Sequence, residues 1–348
     1  MYDAVLILSF GGPEERKDVL PFLENVTRGR NIPRDRLLEV AEHYYYFGGK
    51  SPINDQCRAL ISALRTELDA HGRDLPIYWG NRNWHPFLVD TMRQMKQDGI
   101  RHALAFVTSA YSSYSSCRQY LEDIAKAQAA IGEGAPKIDK LRVFYNHPGF
   151  IEACANRVRE ALDRFLPNEL PVRLVISAHS IPCSMAETSA YEAQLRETSR
   201  LVAETLSFSD WDLAFQSRSG PPSQPWLGPD ILDHLRGLQS RGVQNVLVAP
   251  LGFVSDHLEV LYDLDVEAVG LARELGMKLV RAGTAGTHPA FVGMIRQLIE
   301  ERVLPNEPKL ALGSFGPKED FCVANCCPAP QRADRSPVLA VPCASRQP

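Results

Sequence analysis

The stretch SAHSIP places His179 just past the end of an apolar run, on a loop stiffened by Pro182. A neutral imidazole there suits proton transfer near pH 7; the alternative is a histidine hydrogen-bonded structurally at a strand terminus. A second stretch, SDHLEVLYDLDVEA, is acidic. Asp256 is expected to cap a helix in which His257, Glu259, Asp263, Asp265 and Glu267 follow. Glu259, Asp263 and Glu267 are four residues apart and share one helix face. Such a row of carboxylates can pass protons or hand over a hard, hydrated cation, or it can be a solvated acidic face. His257 and Glu259, two apart, converge only if one sits in the cap or the helix is locally widened.

Thiols form the third set. Of eight cysteines, Cys57, Cys117, Cys154 and Cys183 are scattered through the body, whereas Cys322, Cys326, Cys327 and Cys343 lie in the tail. Scattered thiols in a cytosolic chain read as buried side chains. The tail run FCVANCCPAP is too poor in apolar residues to bury its own, so metal or cluster ligation is the better reading of that spacing.

Other chemistries find no support. SFGGPEE has glycines after a strand but neither G-x-G-x-x-G nor the Walker Lys-Ser/Thr. Ser177 and Ser180 flank His179 without a G-x-S-x-G elbow. The net charge of -4 argues against a nucleic-acid partner. No apolar run reaches the ~18 residues of a membrane span, and DAVLILSF begins without the basic region of an export signal. A cytoplasmic enzyme is the expectation, monomeric and at most loosely peripheral to a membrane.

These residues need elements to hold them. AVLILSF, PIYWG, HALAFVTSA, LRVFY, RLVISA, DLAFQS, NVLVAPL and MKLVRAG alternate with amphipathic stretches. Continuous apolar runs of this length read as parallel strands buried on both faces. The fold class is therefore α/β: two Rossmann-like domains, each a four-stranded parallel sheet flanked by helices. The expected bounds are residues 1–150, 151–305, and a C-terminal extension 306–348 carrying the clustered thiols. The halves look duplicated. GIRHALAFVTSAYSSYSS overlays GVQNVLVAPLGFVSDHLE without a gap, His147-Pro148 pairs with His288-Pro289, and SFGGP sits opposite AHSIP. Ligands bind beyond the carboxyl ends of strands in such sheets, so SFGGP, TSAYSSYSS, SAHSIP and FVSDHLE should converge on a cleft.

LILSFGGPEE, PFLENVTRGR, FGGKSPIN, SAHSIP, FQSRSGPPSQPWLGPD and GFVSDHLEVLYDLDVEA occur in the order seen in ferrochelatases. The chain resembles that family over residues 2 to 305, most nearly its actinobacterial branch, whose members look like coproporphyrin III ferrochelatases. The resemblance implies a two-domain chelatase fold and insertion of ferrous iron into a porphyrin, with protoporphyrin IX as the alternative substrate. It makes His179 the active-site histidine and Glu259 its acidic partner, both near the substrate iron. It places His257, Asp263 and Glu267 on a polar helix with a widened turn that relays iron or protons. Arg28, Arg30, Ser51, Ser112 and Tyr120 lie in its porphyrin-binding segments. Phe10 stands where Bacillus-type enzymes carry a tyrosine and mitochondrial ones a methionine, so it can pack on a porphyrin face but cannot ligate iron.

The same resemblance implies a 2Fe–2S cluster on Cys154, Cys322, Cys326 and Cys327, stapling the tail to the body. Cys343 is the alternative to one of the adjacent pair, and zinc the rival occupant. A cobalt or nickel chelatase and a porphyrin carrier without catalysis are the competing functions. A carrier would need the cleft but not the acidic helix.

Overall fold

The computed structural model describes residues 2–29, 32–221, 223–323 and 325–329. Arg30 and Cys343 lie outside them. Two parallel sheets stand side by side. The first, in the order β2-β1-β3-β4, comprises β1 (Ala4–Ser9), β2 (Ile77–Asn81), β3 (His102–Val107) and β4 (Lys137–Lys140). The second repeats that order as β6-β5-β7-β8: β5 (Arg173–His179), β6 (Trp211–Gln216), β7 (Asn245–Ala249) and β8 (Lys278–Arg281).

Alternation along the central strands explains the layers. Val5 and Ile7 of β1 share one core with Leu174 and Ile176 of β5, and this core runs between the sheets through Phe106, Phe144, Phe150 and Phe291. Ala4, Leu6 and Leu8 face outward beneath the helices Leu88–Gln97 and Gln119–Ile131. Val175, Val246 and Val248 do the same in the second half. Burial on both faces is why these strands read as unbroken apolar runs.

One strand differs from expectation. β4 is the polar KIDK, and LRVFY follows it as irregular chain. Its Leu141, Val143, Phe144 and Tyr145 are apolar because they fill the shared core, not because they pair in the sheet.

Duplication is visible beyond strand order. His147 and His288 each precede a helix with proline in its first turn, and each ring Nδ1 accepts a backbone N–H two residues on, at 3.1 and 3.2 Å. β3 and β7 each lead to a widened π-helical turn, Tyr114–Arg118 and Leu261–Ala268. The helix Pro289–Val303 packs on both Pro148–Leu162 and Ile53–Ala70, tying the end of the second half to the first.

The C-terminal segment lies back along the body. Asn146 Nδ2 donates to the carbonyls of Leu312 (3.1 Å) and Gly316 (2.9 Å), and Leu312 N donates to Asn146 O at 2.8 Å. Arg142 grips Glu301 with two 2.7 Å bonds and donates to Leu310 O at 2.8 Å. Among the described residues no helix is long and apolar enough to cross a membrane.

Candidate active site

The carboxyl ends of β1 and β5 deliver Phe10 and His179 to the same end of the two sheets, as the crevice rule requires. Close approach of the loops there depends on Gly252, where a Cβ would stand 2.6 Å from Ala178 Cα. Tyr111 Oη donates to Leu251 O at 2.6 Å, and Ser112 exchanges two bonds with the Gln194 amide, so both sides of the crevice are tied together.

His179 Nδ1 lies 2.5 Å from the Ser180 carbonyl, which can only accept. The proton is therefore on Nδ1 and the free lone pair is on Nε2, which stands 3.5 Å from Glu259 Oε2. His257 supplies the helix N-cap and puts its Nδ1 4.0 Å from the same oxygen. The face mismatch is thus resolved: His257 sits in the cap, and the helix widens from Leu261. Burial holds the His257 imidazole below its ordinary range, opposed by the Glu259 carboxylate and reinforced by His179. Asp256 is not the cap. Its carboxylate and that of Asp265 are held by Arg281, at 3.1 and 2.7 Å.

Asp263 lies one turn further. Burial pushes its carboxyl up to about 7, with Glu259 and Glu267 adding to the rise and a Ser217 hydroxyl bond opposing it. Ser217 Oγ donates to Asp263 Oδ2 at 2.5 Å from a backbone held at φ 62°. Glu267 is exposed at the outer end. The column runs from a half-buried pair, past a carboxyl poised near neutrality, to solvent.

Above the column is a cavity of about 80 Å³ whose walls include Phe10, Phe22, Leu258, Glu259, Tyr262 and Asp263. Its roof is the helix pair Val19–Val26 and Arg34–Tyr46, which packs on Leu258. Phe10 meets Phe22 edge-on at 6.3 Å. Arg28 is exposed just past the first roof helix; Ser51 is buried behind Gly12, outside the cavity wall. Tyr120 is not in the cleft: it is buried in the outer core of the first half, beneath the Arg82 guanidinium at 4.6 Å.

Four cleft residues escaped the sequence reading. His43 stacks on Tyr262 at 3.7 Å, Ser217 holds Asp263, and Arg82 lies 5.9 Å from the Phe10 ring while pairing with Asp123 at 2.6 Å. Tyr262 and Ser217 fall inside motifs already singled out, and Arg82 follows a strand end, which was a usable signal.

The thiols need a correction. Cys154 is buried in the shared core, where burial alone raises its thiol. The tail reaches Cys117 instead. The Cys117 thiol is hydrogen-bonded to Cys322, which this bond pushes down to about 7, and Cys322 also bonds Cys326. Cys326 Sγ lies 3.6 Å from Cys327 Sγ, and Lys140 stands beside Cys117. Among the described residues no three His, Cys, Asp or Glu side chains are grouped so as to hold one metal ion. The four thiols form a chain of contacts, Cys117 to Cys322 to Cys326 to Cys327.

A family model described as ferrochelatase matches residues 2–303. The chain belongs to the ferrochelatase family. A ferrochelatase from Rhodopirellula baltica is 55% identical over 327 residues, covering 94% of this chain and 93% of its own. A coproporphyrin III ferrochelatase from Streptomyces coelicolor is 50% identical, covering 94% of each chain. SirB from Bacillus subtilis with Fe3+ superposes with a TM-score of 0.56 at 11% identity, over 88% of this chain and all of its own, a likeness of fold alone. For a ferrochelatase, a histidine lone pair against the head of a carboxylate column, beside a cavity with aromatic walls, is a workable site: the metal enters a ring whose protons must leave.

Proposed function

We propose that this ferrochelatase inserts ferrous iron into coproporphyrin III, giving coprohaem, in haem biosynthesis. The 3.5 Å pairing of His179 Nε2 with Glu259 at the head of the acidic column carries the reading. Insertion replaces two pyrrole N–H bonds with bonds to iron, so two protons leave for each metal ion. With Nδ1 committed to Ser180, His179 Nε2 is the acceptor for a pyrrole proton. Glu259 takes that proton from the imidazole, and Asp263, poised near neutrality, passes it on toward Glu267 and solvent. The same carboxylates draw the divalent cation to the cleft. Phe10 and Phe22 offer aromatic surface to a macrocycle and no ligand to its iron.

Arg28, Ser51 and Ser112 are the propionate partners on this reading; Ser51 must become exposed and Ser112 must release Gln194. Apart from the wider kinship, relatives named coproporphyrin III ferrochelatase at 50% identity favour the tetracarboxylate substrate. A cytoplasmic, monomeric enzyme is part of this proposal; among the described residues no helix is long and apolar enough to cross a membrane. Anaerobic ferrous insertion with coproporphyrin III and protoporphyrin IX, side by side, tests it. Faster insertion into coproporphyrin III is expected; preference for protoporphyrin IX overturns the substrate.

The tail thiols, with Cys117 as the body thiol, are proposed to hold a 2Fe–2S cluster. Its chemistry would be that of a staple between the tail and the π-turn after β3. Lys140 would offset part of the thiolate charge. Iron and sulfide content and visible absorption of anaerobically purified protein should vanish in Cys117→Ser and persist in Cys154→Ser. The reverse pattern would restore Cys154, and zinc without sulfide would replace the cluster.

A further inference from the structure

Outside the porphyrin cavity, and sharing its wall through His43 and Tyr262, is a vestibule of about 430 Å³ lined also by Arg16, Glu42, Tyr45 and Tyr46. Arg16 is exposed there, yet it is held in place. Its guanidinium lies over the Tyr45 ring at 4.0 Å, and its backbone packs on Gly49, where a Cβ would stand 2.5 Å from Arg16 Cα at a φ of +85°. The acids nearest in sequence are engaged elsewhere: Glu15 with Lys17 at 2.7 Å, Glu14 with Arg58, and Asp18 with the Glu14 backbone N–H at 3.2 Å. Glu42 shares the vestibule but does not come within 4.0 Å of Arg16, and among the described residues no carboxylate does.

A guanidinium held over a ring without a carboxylate partner, in a vestibule it shares with three phenols, an imidazole and the more distant Glu42, is a receptor for a carboxylate. The inner cavity is walled mainly by apolar side chains and suits a macrocycle face. His43 and Tyr262, stacked at 3.7 Å, form the partition between cavity and vestibule, so a substituent of the macrocycle edge enters the vestibule only when that stack opens. Coproporphyrin III carries a propionate on each of its pyrroles, whereas a dicarboxylate porphyrin carries them on two. We propose that Arg16 binds a propionate of the porphyrin in this vestibule and thereby selects tetracarboxylate over dicarboxylate substrates. The inference rests on the porphyrin-metallation reading and names a specificity residue for it.

The test is steady-state anaerobic insertion by wild type, Arg16→Gln and Arg16→Lys with coproporphyrin III and with deuteroporphyrin IX, a dicarboxylate. Loss of one charge-assisted contact predicts a shift of about tenfold in the ratio of the two KM values, against coproporphyrin, in Arg16→Gln. The effect should lie in KM rather than kcat, and Arg16→Lys should recover only part because the bidentate fork and ring stacking are lost. An unchanged ratio, whether neither KM moves or both move together, overturns the role of Arg16. The wild-type ratio is read separately: if wild type itself prefers the dicarboxylate, the coproporphyrin reading fails whatever the variants do.

Discussion

Ser217→Gly is the sharpest perturbation of the acidic column. It removes the 2.5 Å hydroxyl bond to Asp263 and leaves only the 3.4 Å contact from Gln216. Glycine is chosen because residue 217 sits at φ 62°, which glycine adopts without strain, so the change isolates the hydrogen bond. That bond favours the charged form, so losing it raises the Asp263 pKa from about 7. A hydrogen bond to a charged group is worth about 1.5 kcal/mol or more, and one pKa unit is about 1.4 kcal/mol, which moves the midpoint up by about one unit. At pH 7 the ionised fraction then falls from about one half to about one tenth, a rate loss of about fivefold that disappears above pH 9. The assay is the pH dependence of kcat for anaerobic metal insertion, followed by loss of porphyrin fluorescence. An acidic limb that stays in place, or a slowing equal at every pH, would refute the relay through Asp263.

Two further outcomes concern stability. The Asp263 pKa is raised on folding, so the carboxylate destabilises the fold progressively as pH climbs from about 4 toward 7 and fully above that; Asp263→Asn should raise Tm at pH 8 and leave it unchanged at pH 4, as a thermal melt at both values will show. Arg142→Ala strands Glu301 in a site where the two side chains are 1% and 2% exposed, and should cost about 3–5 kcal/mol in denaturant unfolding while loosening the chain from Leu310 onward.

Much of the fold was legible because burial on two faces writes strands as apolar runs. Where that logic misled, the reason was physical: LRVFY is apolar through core packing, while the true edge strand KIDK is polar. The site was legible in part. The spacing of His257 and Glu259 demanded a cap or a widened turn, and both are present. Which buried thiol faces the tail was not legible, since Cys117 and Cys154 are equally buried and only the packing of the C-terminal segment distinguishes them. Nor was Tyr120, whose ring turns under the helix rather than into the cleft. His43 and Arg16 gave no periodic signal, because their role arises only when the roof helix meets the widened turn of the other half.

The central claim is that His179 accepts pyrrole protons during iron insertion. Single-turnover ferrous insertion by His179→Ala, at saturating coproporphyrin III and with porphyrin affinity measured in parallel, tests it most directly. The account predicts a rate loss of about a hundredfold or more with porphyrin affinity largely kept. Insertion at a near-normal rate would contradict it.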